Sequence, residues 1–172
     1  MALEFRLRDW LQPPTDILQA AGLLPGMTVL DFGCGPGGFA LAAARLVGPS
    51  GCVYAVDINP LALQTVQKTA DKRGYSHIHT IHGSRLGDIS RDSVDIALMY
   101  DVLHELPDYE SVLRDFHQLL KPNGVLSLSD HHLADAELLS KVTGSGLFML
   151  AARTKRTHQF AKSATPGPGD VE

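Results

Sequence analysis

The chain has 172 residues, enough for one domain with a substantial core, and its 44% hydrophobic and 20% charged content is ordinary for a globular protein. Its 15 Lys and Arg against 19 Asp and Glu leave a net charge of −4, which excludes a global basic bias toward nucleic acid or membrane. The opening MALEFRLRDW carries Glu4, Arg6, Arg8 and Asp9 without an apolar core, so no secretory signal is read there. No uncharged stretch reaches the roughly 18 apolar residues of a membrane helix, and a cytoplasmic location is expected.

In chain order, residues 1–14 read as a leading segment ending at Pro13-Pro14, able to fold over a site as a small lid. Thr15 is a plausible N-cap for a short helix over Asp16 to Gly22. Met27 to Phe32 is a first buried strand, followed by glycines at 33, 35, 37 and 38 and an Ala-rich helix to Val47. Gly48-Pro49-Ser50-Gly51 breaks the chain, and Cys52 to Asp57 is a second buried strand. Pro60 sits well at the start of an amphipathic helix through Leu63, Val66 and Ala70, which Gly74 closes. His77 to His82 is a third strand near the sheet edge, and Gly83 to Ser93 a polar loop. Val94 to Tyr100 is a fourth strand. A helix begins at Asp108 and runs through Val112, Phe116, Leu119 and Leu120. Lys121-Pro122-Asn123-Gly124 reads as a turn before a fifth strand, Val125 to Ser129. A short helix over Asp135 to Val142 precedes two strands, Leu147 to Thr154 and Thr157 to Lys162, joined by a basic turn that is most simply solvated. Residues 164–172 are poor in apolar side chains to bury and read as a disordered tail, leaving 15–163 as the domain.

Strands alternating with helices point to an α/β, doubly wound, mostly parallel seven-stranded sheet with helices on both faces. The final strand pair has no helix between its members, so the last strand runs antiparallel. In such sheets ligands bind beyond the carboxyl ends of the strands. Polar residues gather at those ends: Asp31 and the glycines after strand one, Asp57 after strand two, Asp101, His104 and Glu105 after strand four, and Asp130, His131 and His132 after strand five.

The glycine loop puts backbone N–H groups and a helix N-terminus beside a ligand. Gly33, Gly35 and Gly38 satisfy the dinucleotide pattern G-x-G-x-x-G, and Gly33, Gly35 and Gly37 satisfy G-x-G-x-G. Asp31 is a poor neighbour for a pyrophosphate and a good one for a cation. Asp57 can accept from both hydroxyls of a ribose, which supports an adenosine ligand without choosing the cofactor. Of the two cysteines, Cys34 and Cys52 fall at opposite ends of neighbouring strands, too far apart for a disulfide. Cys34 reads as a small residue fitting the loop. His104 with His131 and His132 lacks regular metal-ligand spacing, so no metal is assigned.

VLDFGCGPGG (29–38), with its acid before the glycines, resembles the first motif of class I S-adenosylmethionine (SAM) methyltransferases, and the whole pattern over roughly 15–163 resembles their fold. The resemblance implies SAM as cofactor, held by Asp31, Gly33, Cys34, Gly35, Gly37, Asp57 and Ile58, the last packing on the adenine. Ser84 and Arg85, also placed at the cofactor by the resemblance, stand where many members have Asp-Ala; Ser84 can still accept from the adenine amino group, as can Asp88 if the loop folds back, and Arg85 cannot. The stretch from Tyr100 to Leu106 resembles the fourth motif, so Tyr100 and Asp101 would hold the amino-acid end of the cofactor and His104 would face the substrate. It also implies methyl transfer, with His104, His131 and Asp101, in that order, as candidate bases. The Asn/Asp-Pro-Pro-aromatic tetrapeptide of relatives that methylate amino groups of nucleic-acid bases is absent, which favours a small-molecule acceptor over nucleic acid. A homodimer is one way to complete the site. A non-catalytic SAM-binding protein and a small NAD-binding protein are the rival readings.

Overall fold

The structure is a computed structural model that describes residues 13–83 and 86–163. The expected lid over most of 1–14, the expected tail over 164–172, and the sites assigned to Ser84 and Arg85 lie outside the described residues. The chain divides into two compact units, Met1–Ser84 and Arg85–Glu172. Of the seven strands of the sheet, the first three in chain order lie in the first unit and the last four in the second.

In the first unit, α1 (Pro14–Ala20) starts one residue before the expected cap, because Pro14 at the first helical position needs no hydrogen-bond partner for its nitrogen. Strand β1 (Thr28–Phe32) pairs in parallel with β2 (Cys52–Asp57), from Thr28 opposite Cys52 to Phe32 opposite Val56. Strand β3 (Ile78–His82) lies outside β2 in parallel, with Asp57 opposite His82. All three strands therefore end on one side, where the glycine loop begins. Helix α2 (Gly38–Val47) buries Ala40, Leu41, Ala43, Ala44 and Val47 and packs on β1, β2 and α1. Its small side chains let the helix lie close to the sheet. Helix α3 (Pro60–Arg73) starts where the Asn59 side chain accepts from the Leu61 N–H at 3.0 Å and ends at Gly74 in a left-handed conformation, φ 69°. Two histidines of the third strand region are tied to backbone carbonyls: His77 to Ala44 at 2.8 Å and His82 to Ile58 at 3.0 Å.

In the second unit, β4 (Val94–Tyr100) and β5 (Leu120–Ser129) pair in parallel, ending with Tyr100 opposite Ser129. Helix α4 (Tyr109–Leu119) is capped by Asp108, which accepts from the Ser111 N–H at 3.1 Å, and buries Leu113, Phe116 and Leu119. The expected turn at 121–124 proves to be an interruption within β5. Leu120 already pairs with Val94, and the ladder resumes at Ile96 opposite Val125. Pro122 lacks an N–H, so this segment bulges out of the ladder instead of starting a separate strand. Lys121 Nζ bonds Asp95 Oδ1 at 2.7 Å across the gap.

Helix α5 (Asp135–Thr143) leads to β6 (Phe148–Arg153) and β7 (His158–Lys162). As expected, β7 runs antiparallel to both its neighbours, β5 and β6. The basic side chains of the turn, Arg153, Lys155 and Arg156, are exposed, as expected of a solvated turn. Arg153 Nη1 meets Asp135 Oδ2 at 2.6 Å, and His158 Nε2 meets Asp135 Oδ1 at 2.9 Å, which ties the hairpin to α5.

Candidate functional site

The first unit builds a loop around two carboxylates. Gly33 and Cys34 both donate their N–H to the Val56 carbonyl, at 2.8 and 2.9 Å, which folds the chain sharply over the end of β2. Gly35 then lies at φ 52° and Gly37 at φ 91°, backbone conformations that L side chains rarely adopt. At Gly37 space is also short, since a Cβ would come 2.7 Å from Val66 Cγ2 on α3. At Gly35 a Cβ would meet nothing within 4 Å, so the loop is open on that side.

Asp57 anchors this loop. Its Oδ2 accepts the Gly35 N–H and its Oδ1 accepts the Asn59 N–H, both at 2.8 Å. Each carboxylate oxygen keeps a further lone pair for an incoming donor. The side chain of Ile58, next in sequence, is 77% exposed, an apolar surface at the strand end. Asp31 is different. It is almost wholly buried, at 4% exposure, and its Oδ2 has no hydrogen-bond partner. Burial, with a lesser contribution from the Asp57 charge, raises its carboxyl to about 7, against the opposing effect of a hydrogen bond from the Ala40 backbone. Such a group is incomplete as it stands: ionised, it is a buried carboxylate in need of a cation. The Cys34 thiol is pushed far up by burial and by the Asp31 and Asp57 charges, which leaves it almost no thiolate.

The second unit carries a separate group of ionisable side chains. Asp101 follows β4 in a left-handed conformation, φ 57°, and its N–H reaches the Ser129 carbonyl at 2.8 Å. Its Oδ1 accepts both the backbone N–H of His131, at 3.1 Å, and that residue's ring Nδ1, at 2.5 Å. Asp130, at the end of β5, does the same for His104 in the 3₁₀ turn Leu103–Glu105: its Oδ2 accepts the backbone N–H and faces Nδ1, both at 2.9 Å. Its Oδ1 accepts the His132 N–H at 3.0 Å. The His132 ring lies between the others, 4.2 Å from His104 and 3.9 Å from His131 by ring centroid. The hydroxyl of Tyr100 is engaged with Ser127 Oγ at 2.8 Å.

Thus Asp31, Gly33, Cys34, Gly35, Gly37, Asp57 and Ile58 gather in one unit, and Tyr100, Asp101, His104 and His131 in the other. Asp130 is legible as a strand-end residue without a role, and His132 only as a member of the histidine group set aside as a metal site. The signal was a repeated order, an Asp at a strand end with a His soon after it, at both β4 and β5. Among the described residues no group of three or more His, Cys, Asp or Glu side chains is arranged to hold a metal.

A methyltransferase-domain family model matches residues 23–163. The chain belongs to this family. It is 31% identical to the demethylmenaquinone methyltransferase of Geobacillus kaustophilus over 64% of its own length and 47% of that protein, so it spans about half of that relative. It is 34% identical to the arsenite methyltransferase of Aquipseudomonas alcaligenes over 73% of its length and 38% of that protein. A solved SAM-dependent methyltransferase from Aquifex aeolicus superposes with a TM-score of 0.79 at 21% identity, covering 90% of this chain and 91% of that one. The fold is therefore the class I, Rossmann-like methyltransferase fold.

The cofactor of this family is SAM, and the first unit fits it on its own terms. The unpartnered Asp31 oxygen calls for a cation, which SAM carries at its ammonium and sulfonium groups. The Asp57 oxygens retain lone pairs for a ribose, and Ile58 offers an apolar face to an adenine.

Proposed function

We propose that the chain transfers the methyl group of SAM to a small hydroxylated aromatic acceptor, with a quinol as the first class to test. The observation that carries the choice of donor is the buried, unpartnered Asp31 oxygen beside a glycine loop. A pyrophosphate would place negative charge near a second unpaired negative charge, whereas a cationic methyl donor supplies what Asp31 lacks. When bound, SAM supplies an electrophilic methyl group: the acceptor's electron pair forms the new bond as the S–CH3 bond breaks, and the sulfur keeps the released pair as a neutral thioether.

The chain's own residues do the rest. Asp57 orients the ribose, Asp31 neutralises the cationic end, and the sharply folded glycine loop, without side chains at 33, 35 and 37, lets the backbone come close to the donor. Alignment of this kind is worth roughly 7–11 kcal/mol where the reacting atoms are well placed. Tyr100 and Asp101 are assigned to the amino-acid end of the donor, and His104, His131 and Asp101 remain the candidate bases.

Acceptor class is chosen by two considerations. The demethylmenaquinone methyltransferase relative suggests a quinone ring, and only the reduced, quinol form has an ionisable hydroxyl for a histidine to serve. Arsenic chemistry fits less well, because soft arsenic favours thiolate ligands. The two cysteines of this chain are the buried Cys34, which follows β1, and Cys52, at the opposite end of the paired strands. Among the described residues no helix is long and apolar enough to cross a membrane.

The test is calorimetric titration with S-adenosylhomocysteine and with NADH, followed by turnover of SAM with 1,4-naphthohydroquinone kept reduced. Binding of the homocysteine nucleoside and methylation of the quinol support the reading. NADH binding without S-adenosylhomocysteine binding refutes it. Binding of S-adenosylhomocysteine with no product from any acceptor tried favours a SAM-binding protein that is not an enzyme.

A further inference from the structure

We propose that Asp130 is a positioning residue that locks His104 in the tautomer with its proton on Nδ1, so that Nε2 presents a lone pair as the base for a hydroxylated acceptor. This rests on the methyl-transfer reading for the acceptor but not for the lock itself.

The geometry of the lock is specific. One oxygen, Oδ2, takes both the main-chain N–H and the ring Nδ1 of the same residue, each at 2.9 Å, so backbone and ring are pinned to a single point. The other oxygen takes the His132 N–H at 3.0 Å. Two backbone N–H groups and the ring Nδ1 thus converge on a side chain that is 0% exposed, and because a carboxylate has only acceptors to offer, its bond to Nδ1 requires the ring proton there. With its proton on Nδ1, neutral His104 leaves Nε2 as an acceptor. Glu105 Oε1 lies 3.7 Å from Nε2, beyond hydrogen-bond distance and on a 72% exposed side chain. His132 packs against the ring, with His131 and its partner Asp101 behind it.

The His131–Asp101 pair has the same form but weaker control. Its imidazole is 63% exposed and its carboxylate 23%, against 23% and 0% for His104 and Asp130. Solvent competes for an exposed pair and screens it. The base is therefore assigned to His104. In the step itself, the acceptor O–H breaks and its proton forms an N–H bond at His104 Nε2. The electron pair left on oxygen becomes available for the new bond, and the imidazolium returns the proton to solvent.

Replacing the carboxylate with an amide inverts the lock. In Asp130→Asn the amide NH2 must face at least one of the converging donors, and the relaxed arrangement has Nδ1 accepting from it. That moves the ring proton to Nε2 and removes the base. The first measurement is the long-range 1H–15N spectrum of the full chain saturated with S-adenosylhomocysteine. The expected result is an Nδ1–H tautomer for His104 in the wild type and an Nε2–H tautomer in Asp130→Asn. The second is turnover of 1,4-naphthohydroquinone, where Asp130→Asn lowers kcat by about 10²–10⁴-fold while the KM for SAM changes little. The pH profile of the rate differs from that of the wild type, and Asp130→Glu restores part of the rate.

An Nε2–H tautomer in the wild type, or an unchanged tautomer in Asp130→Asn, overturns the proposal whatever the turnover. So does a wild-type kcat and pH profile in Asp130→Asn. A wild type with the expected tautomer that binds S-adenosylhomocysteine but leaves the quinol unmethylated counts against the acceptor class and supports the lock. If Asp130→Asn does not fold, the wild-type tautomer and Asp130→Glu still decide.

Discussion

Replacing Asp31 with Asn stabilises the empty protein above neutral pH and weakens the binding of the methyl donor, and both effects follow from one buried oxygen. The Asp31 carboxyl is raised from 3.8 to about 7, first by burial and then by the Asp57 charge. An acid whose pKa is higher in the folded state holds its proton more tightly there. The folded state therefore loses stability as pH rises from 3.8 to about 7 and stays level above that. Roughly three pH units at about 1.4 kcal/mol each is on the order of 4 kcal/mol. Asparagine escapes this cost but leaves an amide without its full set of partners, a penalty of about 1–3 kcal/mol. The net gain at pH 8 is about 1–3 kcal/mol, or roughly 2–12 °C in melting temperature for a chain of this size. The gain shrinks as pH falls below about 7 and is gone by about pH 4; only below the unfolded-state value of 3.8 is the wild-type carboxyl protonated in both states.

Binding moves the other way. Loss of a buried charge partner costs at least about 2 kcal/mol, so Asp31→Asn binds S-adenosylhomocysteine at least ~30-fold more weakly at pH 8. Below pH 7 the wild type releases a proton on binding, because its carboxyl is protonated when empty and ionised against the ligand's ammonium. Thermal melts across pH, with calorimetry in buffers of differing ionisation enthalpy, measure all three effects. A variant less stable than wild type at pH 8, ligand binding at wild-type strength and no proton release would together refute the reasoning.

Removing the ribose acceptor in Asp57→Ala weakens S-adenosylhomocysteine binding by at least ~10-fold and frees the Gly35 N–H, which calorimetry and amide hydrogen exchange detect. Gly37→Ala destabilises by about 1–3 kcal/mol in denaturant titrations, from the Cβ at 2.7 Å from Val66 Cγ2 and from φ 91°. Adding Val66→Ala relieves the contact but not the backbone strain, so the double variant does not recover the Gly37→Ala loss. Asn59→Ala removes the cap of α3 and costs about 1 kcal/mol in the same assay. Cys34 stays unlabelled by iodoacetamide at pH 8 until the protein is unfolded, as its raised pKa requires.

Periodicity and glycine chemistry were enough to read the strand–loop–helix order, the edge position of β3 and the antiparallel β7. These features are local, or follow from how α/β units connect. The bulge in β5 was harder, because Lys121-Pro122-Asn123-Gly124 has turn composition and only the pairing of Leu120 with Val94 shows that the strand has already begun. Asp31 was legible as an acid before the glycines, but its burial and empty oxygen depend on packing around Ala40. The Asp–His pairs were the least legible. Asp101 and His131 are 30 residues apart and Asp130 and His104 are 26 apart, so no sequence spacing reveals that each carboxylate serves the histidine of the other strand end.

The most direct measurement of the account is a calorimetric titration of the full chain with S-adenosylhomocysteine and, separately, with NADH. The expected result is one S-adenosylhomocysteine bound per chain with proton release below pH 7, both effects diminished in Asp31→Asn, and no heat from NADH. Saturable NADH binding with no response to S-adenosylhomocysteine would contradict the assignment of the glycine loop and Asp31 to a cationic methyl donor.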